Sequence, residues 1–244
     1  LSTSGPIASA AVIKDGQVLS REVGGHGRTH SETIMPLCEK ALQTAGYTPA
    51  DMDAFGVDAG PGSFSGVRIG ICASNAMAAA FGKPVAAASS LEGLLYGIDN
   101  ACALLDCRNG NGYAMVKYEG FSPEPMAVVI DDLLSTLPDG ILMAGDGAVM
   151  HRERILNALP NARFAEGNDI IADRIGLAAY DKLVRAKPLL RRCPSTSAPL
   201  RPNVSQRRGT NDSLQANAEK GRSPHSRAGT DMLSLPVVGK FPLR

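Results

Sequence analysis

The chain has 244 residues, 44% hydrophobic and 20% charged, which supplies a sizeable core and excludes collagenous, disulfide-scaffold and wholly disordered classes. Its five cysteines, at 38, 72, 102, 107 and 193, form no C-x-x-C pair, and a reduced, cytoplasmic compartment is the expectation. No apolar run reaches the roughly 20 residues of a bilayer span, so no membrane partner is expected. The net charge of +1 is unevenly spread: from Lys187 onward there are 11 basic and 3 acidic residues, leaving −7 on the rest.

Taken in chain order, Ala8–Lys14 and Gln17–Val23 flank Asp15-Gly16, a dipeptide suited to a tight hairpin. Ser31 precedes a helical pattern through Ile34, Leu37, Cys38, Ala41, Leu42 and Ala45 that Gly46 ends, with Pro36 in its early turns. Ala54–Ala59 reads as a short buried strand, followed by a glycine-rich loop over residues 60–66 and a helix over Val67–Phe81. Val85–Ala88 is a further strand, and Ser89 or Ser90 caps a helix through Tyr96. In the second half, Ala101–Asp106, Tyr113–Tyr118 and Ile141–Ala144 read as strands, and Arg152–Leu159 and Arg174–Val184 as helices. This alternation is an α/β order. From about Lys187 the many Pro, Ser, Asn and Arg carry no apolar period, and the segment reads as an irregular basic tail that could serve as an arm for nucleic acid.

Several segments could carry chemistry. A strand ending in Gly-Pro-Gly-Ser and feeding a helix can aim backbone N–H groups at an anion, which makes Gly60, Gly62, Ser63, Ser65 and Arg68 candidates for an anion or nucleotide loop. The alternative is a tight turn whose glycines only permit the backbone path; the spacing is not that of a Walker A loop. The following helix carries small residues on nearly every face, so it is expected to be buried on more than one side. Its second cover would be the helix over Ser31–Gly46 or a partner chain. Together the two helices would offer Ile34, Leu37, Cys38, Gly70, Ala73, Ser74 and Met77 as a partner interface. His26 and His30 have metal-ligand spacing, yet the glycines around His26 favour two loop histidines. Glu92, Asp106 and Asp146 read as solvated or capping carboxylates, and no nucleophile–base pair stands out.

Ser2-Thr3-Ser4 before the hairpin, His30-Ser31-Glu32 with Ile34-Met35-Pro36, the run Gly60–Gly70, Ser89–Glu92 and Asp106-Cys107-Arg108 together resemble the bacterial TsaB (YeaZ) family. The resemblance covers roughly residues 1–185. It implies a two-lobed actin/sugar-kinase/Hsp70-like (RNase H-like) α/β fold with the first strand truncated. Residues 1–97 would form the N-terminal lobe, 98–186 a smaller second lobe and 187–244 the tail. It implies a non-catalytic scaffold subunit that pairs with a TsaD-like catalytic subunit and a TsaE-like ATPase. That assembly moves threonylcarbamoyl to the adenosine next to the anticodon of tRNAs reading ANN codons. No catalytic residue and no metal ligand fall to this chain. ATP or ADP and metal belong to the partner subunits, and a homodimer is expected when the chain is alone. Ser2 stands where the family carries an Asp, and the second-lobe pattern is reduced to residues 106–113. The alternative from the same fold is an M22-type metallopeptidase (glycoprotease) or an ATP-dependent phosphotransferase.

Overall fold

The computed structural model describes residues 1–25, 27, 29–121 and 123–190. Strands β1 (Ser9–Lys14) and β2 (Gln17–Val23) form the expected hairpin, with Asp15 and Gly16 both at positive φ in the turn. Helix α1 (His30–Ala45) ends on Gly46 in the left-handed conformation, where glycine alone has no Cβ penalty. Strand β3 (Phe55–Asp58) leads through the glycine loop into α2 (Phe64–Phe81), and β4 (Val85–Ala88) returns parallel to β3. Helix α2 starts three residues earlier than expected. The cause is Ser63, whose Oγ accepts from the Gly66 N–H at 3.3 Å and caps the helix there. Helix α3 (Ser90–Leu94) opens on a reciprocal capping box between Ser89 and Glu92.

The second half is a five-stranded sheet in the order β7-β6-β5-β8-β9. Its strands are β5 (Ala101–Asp106), β6 (Asn111–Lys117), β7 (Met126–Val129), β8 (Leu142–Ala144) and β9 (Arg163–Phe164). Helices α4 (Ile130–Thr136), α5 (Asp146–Met150) and α6 (Arg152–Ala158) cover one face. The sequence reading missed β7 and α4. Helix α7 (Ala172–Leu190) runs back to pack on β1, β3 and β4. It continues to Leu190, past the point where an irregular tail was expected; the rest of that tail, and its possible role as a nucleic-acid arm, lies outside the described residues.

Three apolar clusters hold these layers. Leu1, Val12, Ile34, Ala41, Phe55 and Val57 pack between the β1 and β3 strands and helices α1 and α2. On β5, Cys102 and Leu104 point to the α4–α6 side, while Ala101, Ala103 and Leu105 point to the α3–α7 side. Both faces of β5 are thus covered, which is why it reads as an unbroken apolar run. Fully burying each Leu or Ile of these clusters stabilises the fold by about 1.5–3 kcal/mol.

Helix α2 differs from expectation in exposure. It is long and apolar enough, at 18 residues and mean hydropathy 1.2, to meet the minimum for a bilayer span, which the search for a longer run did not flag. Here it is the crossover between two parallel strands. Only the face carrying Gly66, Gly70, Ser74, Met77 and Ala78 is buried, and the opposite face is open.

Candidate functional site

The most densely bonded polar centre lies where Ser2–Ser4, the end of β3 and the start of α3 meet. Asp58, 1% exposed, accepts from Ser2 Oγ at 2.8 Å, from Ser90 Oγ at 2.7 Å, from the Gly60 N–H at 2.9 Å and from Ser4 Oγ. Ser90 Oγ also lies 3.1 Å from Ser4 Oγ. Four donors around one buried carboxylate offset the desolvation that an unpaired charge would meet. The centre also fixes the glycine loop. Gly60 is at φ +84°, its carbonyl accepts from the Ser90 N–H, and the Ser63 N–H donates to the Ser4 carbonyl. The sequence reading noted that Ser2 replaces an Asp but did not single out Asp58, which places a carboxylate directly against Ser2. Its only signal was a polar residue ending a buried strand.

The same bonds correct the expectation of an anion loop. The N–H groups of Gly60, Ser63, Gly66 and Val67 are all consumed within the protein. Ser65 Oγ lies 3.4 Å from Ser63 Oγ. Arg68 stacks its guanidinium 5.2 Å from the Phe64 ring centroid rather than reaching back to the loop. Gly62 is not at a positive φ; it is glycine because a Cβ there would lie 2.5 Å from the Ser4 carbonyl oxygen.

Beside this centre opens a cleft of about 380 Å3 lined by Ser4, His30, Asp106, Tyr113, Asp146 and Asp169, among others. His30 Nε2 lies 3.0 Å from the Gly5 carbonyl oxygen, so the ring is tied to the N-terminal segment. His26 falls outside the described residues, and no cluster of metal ligands occurs among the described ones. Asp106 is not a lone solvated carboxylate. Its Oδ1 meets His151 Nε2 at 2.8 Å, and its backbone N–H donates to Asp146 Oδ1 at 3.1 Å. The His151 hydrogen bond holds the Asp106 carboxyl below its ordinary value, whereas burial pushes Asp146 up. Glu92 is the capping residue of α3 and pairs with Lys182 at 2.6 Å. No Lys or Arg lines the cleft, and three carboxylates face it. These residues do not fit the polyphosphate of a nucleotide, whose like charge they would repel.

One pH effect follows. Because the folded Asp106 carboxyl is depressed, its contribution to stability is complete above its unfolded value of about 3.9 and is lost as pH falls through the lower folded value. His151→Ala is expected to raise the Asp106 carboxyl toward the ordinary range, read by carboxyl-carbon NMR titration. An unchanged titration would show that the pair is not formed.

The expected interface residues divide. Ile34, Cys38, Gly70, Ser74 and Met77 are buried, Ser74 at 0%, with Leu37 and Ala73 partly buried beside them. Gly70 lies against Thr3, Leu1 and Val57. These small residues let α2 approach the strands of its own chain, so the five buried ones are corrected from interface to core. The outward face is instead Phe64 (78% exposed), Arg68, Cys72, Asn75, Ala76 and Ala80.

Against known proteins, residues 17–135 match the sequence profile of the family described as TsaD, tRNA N6-adenosine threonylcarbamoyltransferase. A transferase of that name from Erythrobacter litoralis is 44% identical over 66 residues, 27% of this chain and 19% of that protein. One from Sphingopyxis alaskensis is 36% identical over 101 residues, 35% of this chain and 29% of that protein. The chain thus spans well under half the length of the curated transferases it matches. In fold it is similar to YeaZ from Pseudomonas aeruginosa, with a TM-score of 0.63, 23% identity, and coverage of 76% of this chain and 91% of that one. A second structure, described as an uncharacterized protein with similarity to peptidase YEAZ from Pseudomonas aeruginosa, gives 0.61 at 24% identity. The chain has the two-lobed α/β fold of YeaZ, and its resemblance to the TsaB (YeaZ) family extends from the motifs to the architecture.

Proposed function

We propose that this chain is a scaffold subunit for tRNA threonylcarbamoylation. It would pair with a TsaD-like catalytic subunit, be served by a TsaE-like ATPase, and contact tRNA through the assembly. The observation that carries this reading is the open face of α2: a helix of mean hydropathy 1.2 with 28% of its residues buried, beside α1 on a YeaZ-type fold. Leaving such a stripe in water is costly, and covering it with a partner helix pair is the natural use of it. A second copy would cover it when the catalytic subunit is absent, giving the homodimer. ATP or ADP and metal are then held by the partner subunits, which agrees with the acidic lining of this chain's cleft.

The test is co-purification with a TsaD-like subunit, followed by a tRNA modification assay with and without this chain. Ala76→Arg puts a charge on the open face and is expected to leave the melting temperature unchanged while weakening association at least tenfold. That factor is about 1.4 kcal/mol. Ser74→Arg, by contrast, is expected to unfold the chain, because Ser74 is fully buried with its Oγ already without a hydrogen-bond partner. Full association by Ala76→Arg would sink the interface. The peptidase or phosphotransferase reading has one observation in its favour, the Asp106–His151 pair in the cleft. Hydrolysis of peptide or ATP by the chain alone, lost in His151→Ala, would replace the scaffold reading with that one.

A further inference from the structure

β1–β2 and β3–β4 are separate two-stranded sheets that face each other across a slot. Only one short stretch bridges them. Ser2 exchanges two backbone hydrogen bonds with Ser9, each 2.9 Å, while the Leu1 nitrogen donates to the Gly56 carbonyl at 3.0 Å and the Leu1 carbonyl accepts from the Asp58 N–H at 3.1 Å. Leu1 and Ser2 thus lie antiparallel to β1 and parallel to β3. Beyond Leu1 the slot continues as a cavity of about 430 Å3 between residues 10–15 of β1 and its turn and residues 53–56 leading into β3.

The walls state what would fit. By strand alternation, the edge of β1 at Ala11 and that of β3 at Gly56 turn their backbone groups into the slot, because the intervening residues pair with β2 and β4. One side of the slot is roofed by α1 and α2 through Cys38, Leu42 and Met77, and the other by α7 through Gly176, Ala179 and Tyr180. A strand covered on both faces is apolar at every position. The register sets the sizes. Continuing back from Leu1, the first position falls beside Ala11 and Gly56, and Gly56 faces Ala179 of α7, leaving room for a small side chain. The second falls beside Val12 and Phe55, on the α1–α2 side, and takes a large one. The Leu1 nitrogen is itself fully buried, and desolvation lowers the ammonium below its ordinary value. An amide there would keep the bond to Gly56 without a buried charge.

We propose that this slot seats one further strand of about four residues, continuous with Leu1, antiparallel to β1 and parallel to β3, small toward α7 and large toward α1 and α2. It is a statement about packing and stands independently of the scaffold reading. The test compares the chain as it is with forms extended ahead of Leu1 by Ile-Val-Leu-Ala, by the order-exchanged Ile-Val-Ala-Leu, and by Ile-Val-Lys-Ala, with thermal unfolding and amide hydrogen exchange as readouts. The first is expected to raise the melting temperature by several degrees and slow exchange at Ala11 and Gly56 at least tenfold. The exchanged order should gain clearly less, and the lysine form nothing. Three extended forms that melt alike, or exchange at Ala11 and Gly56 that is unchanged by Ile-Val-Leu-Ala, would overturn the proposal. Because neither readout involves a partner or tRNA, failure here leaves the scaffold reading untouched.

Discussion

Asp58→Ala is expected to cost roughly 3–5 kcal/mol of folding stability, the largest single loss from any side-chain truncation in the described residues. The carboxylate is the common acceptor of three serine hydroxyls and the Gly60 N–H. Removing it leaves Ser2, Ser4 and Ser90, all buried, with donors aimed at a cavity. At about 2–4 °C per kcal/mol for a chain of this size, the melting temperature should fall by about 10 °C. Asp58→Asn separates shape from charge. Its oxygen can still serve two donors, but its NH2 faces donors that need an acceptor, so its loss should fall between the native chain and Asp58→Ala. Urea unfolding of the two variants checks the order. Wild-type stability in Asp58→Ala would mean that the four bonds contribute nothing net.

The elements with a strong local signal were legible in the sequence. The Asp15-Gly16 turn, the Gly46 stop and the Ser89–Glu92 box are chemistry read within four residues, and each occurs where expected. Strand β7 and helix α4 were not legible. The strand has four residues in a burial pattern that alternates only weakly, and α4 starts at Val129 without a side-chain cap. The site was half legible. The glycine loop announces itself, but the decision between an anion cradle and an internal turn depends on Ser2–Ser4, more than 50 residues away, which take up its N–H groups. The Asp106–His151 pair spans 45 residues and has no spacing signature. The two faces of α2 could not be told apart because both carry small residues. Which face is buried is fixed by Thr3 and Leu1, through contacts with Gly66 and Gly70 that no periodicity reports.

Those contacts make Gly66→Ala the sharpest test of the assembled site. On an isolated helix this change is favourable by about 1 kcal/mol, because alanine loses less backbone freedom than glycine. Here the added Cβ would run into the Thr3 carbonyl oxygen, a backbone atom that no side-chain rotation can move aside. Helix α2 would have to retreat from Ser2–Ser4. That retreat would break the 2.7 Å bond from Thr3 Oγ1 to the Gly66 carbonyl and the 2.8 Å bond from the Ser63 N–H to the Ser4 carbonyl. Overpacking of this kind costs about 1–3 kcal/mol, and two lost hydrogen bonds add roughly 1 kcal/mol each. The clash therefore outweighs the propensity gain, and the variant should be destabilised by about 2–4 kcal/mol net. Gly25→Ala supplies the control, since a Cβ there meets nothing within 4 Å and its φ is not left-handed. It should unfold within about 0.5 kcal/mol of the native chain. If Gly66→Ala matches Gly25→Ala in urea, the close approach of α2 to the N-terminal segment is wrong, and with it the account of how Asp58 and the glycine loop are held together.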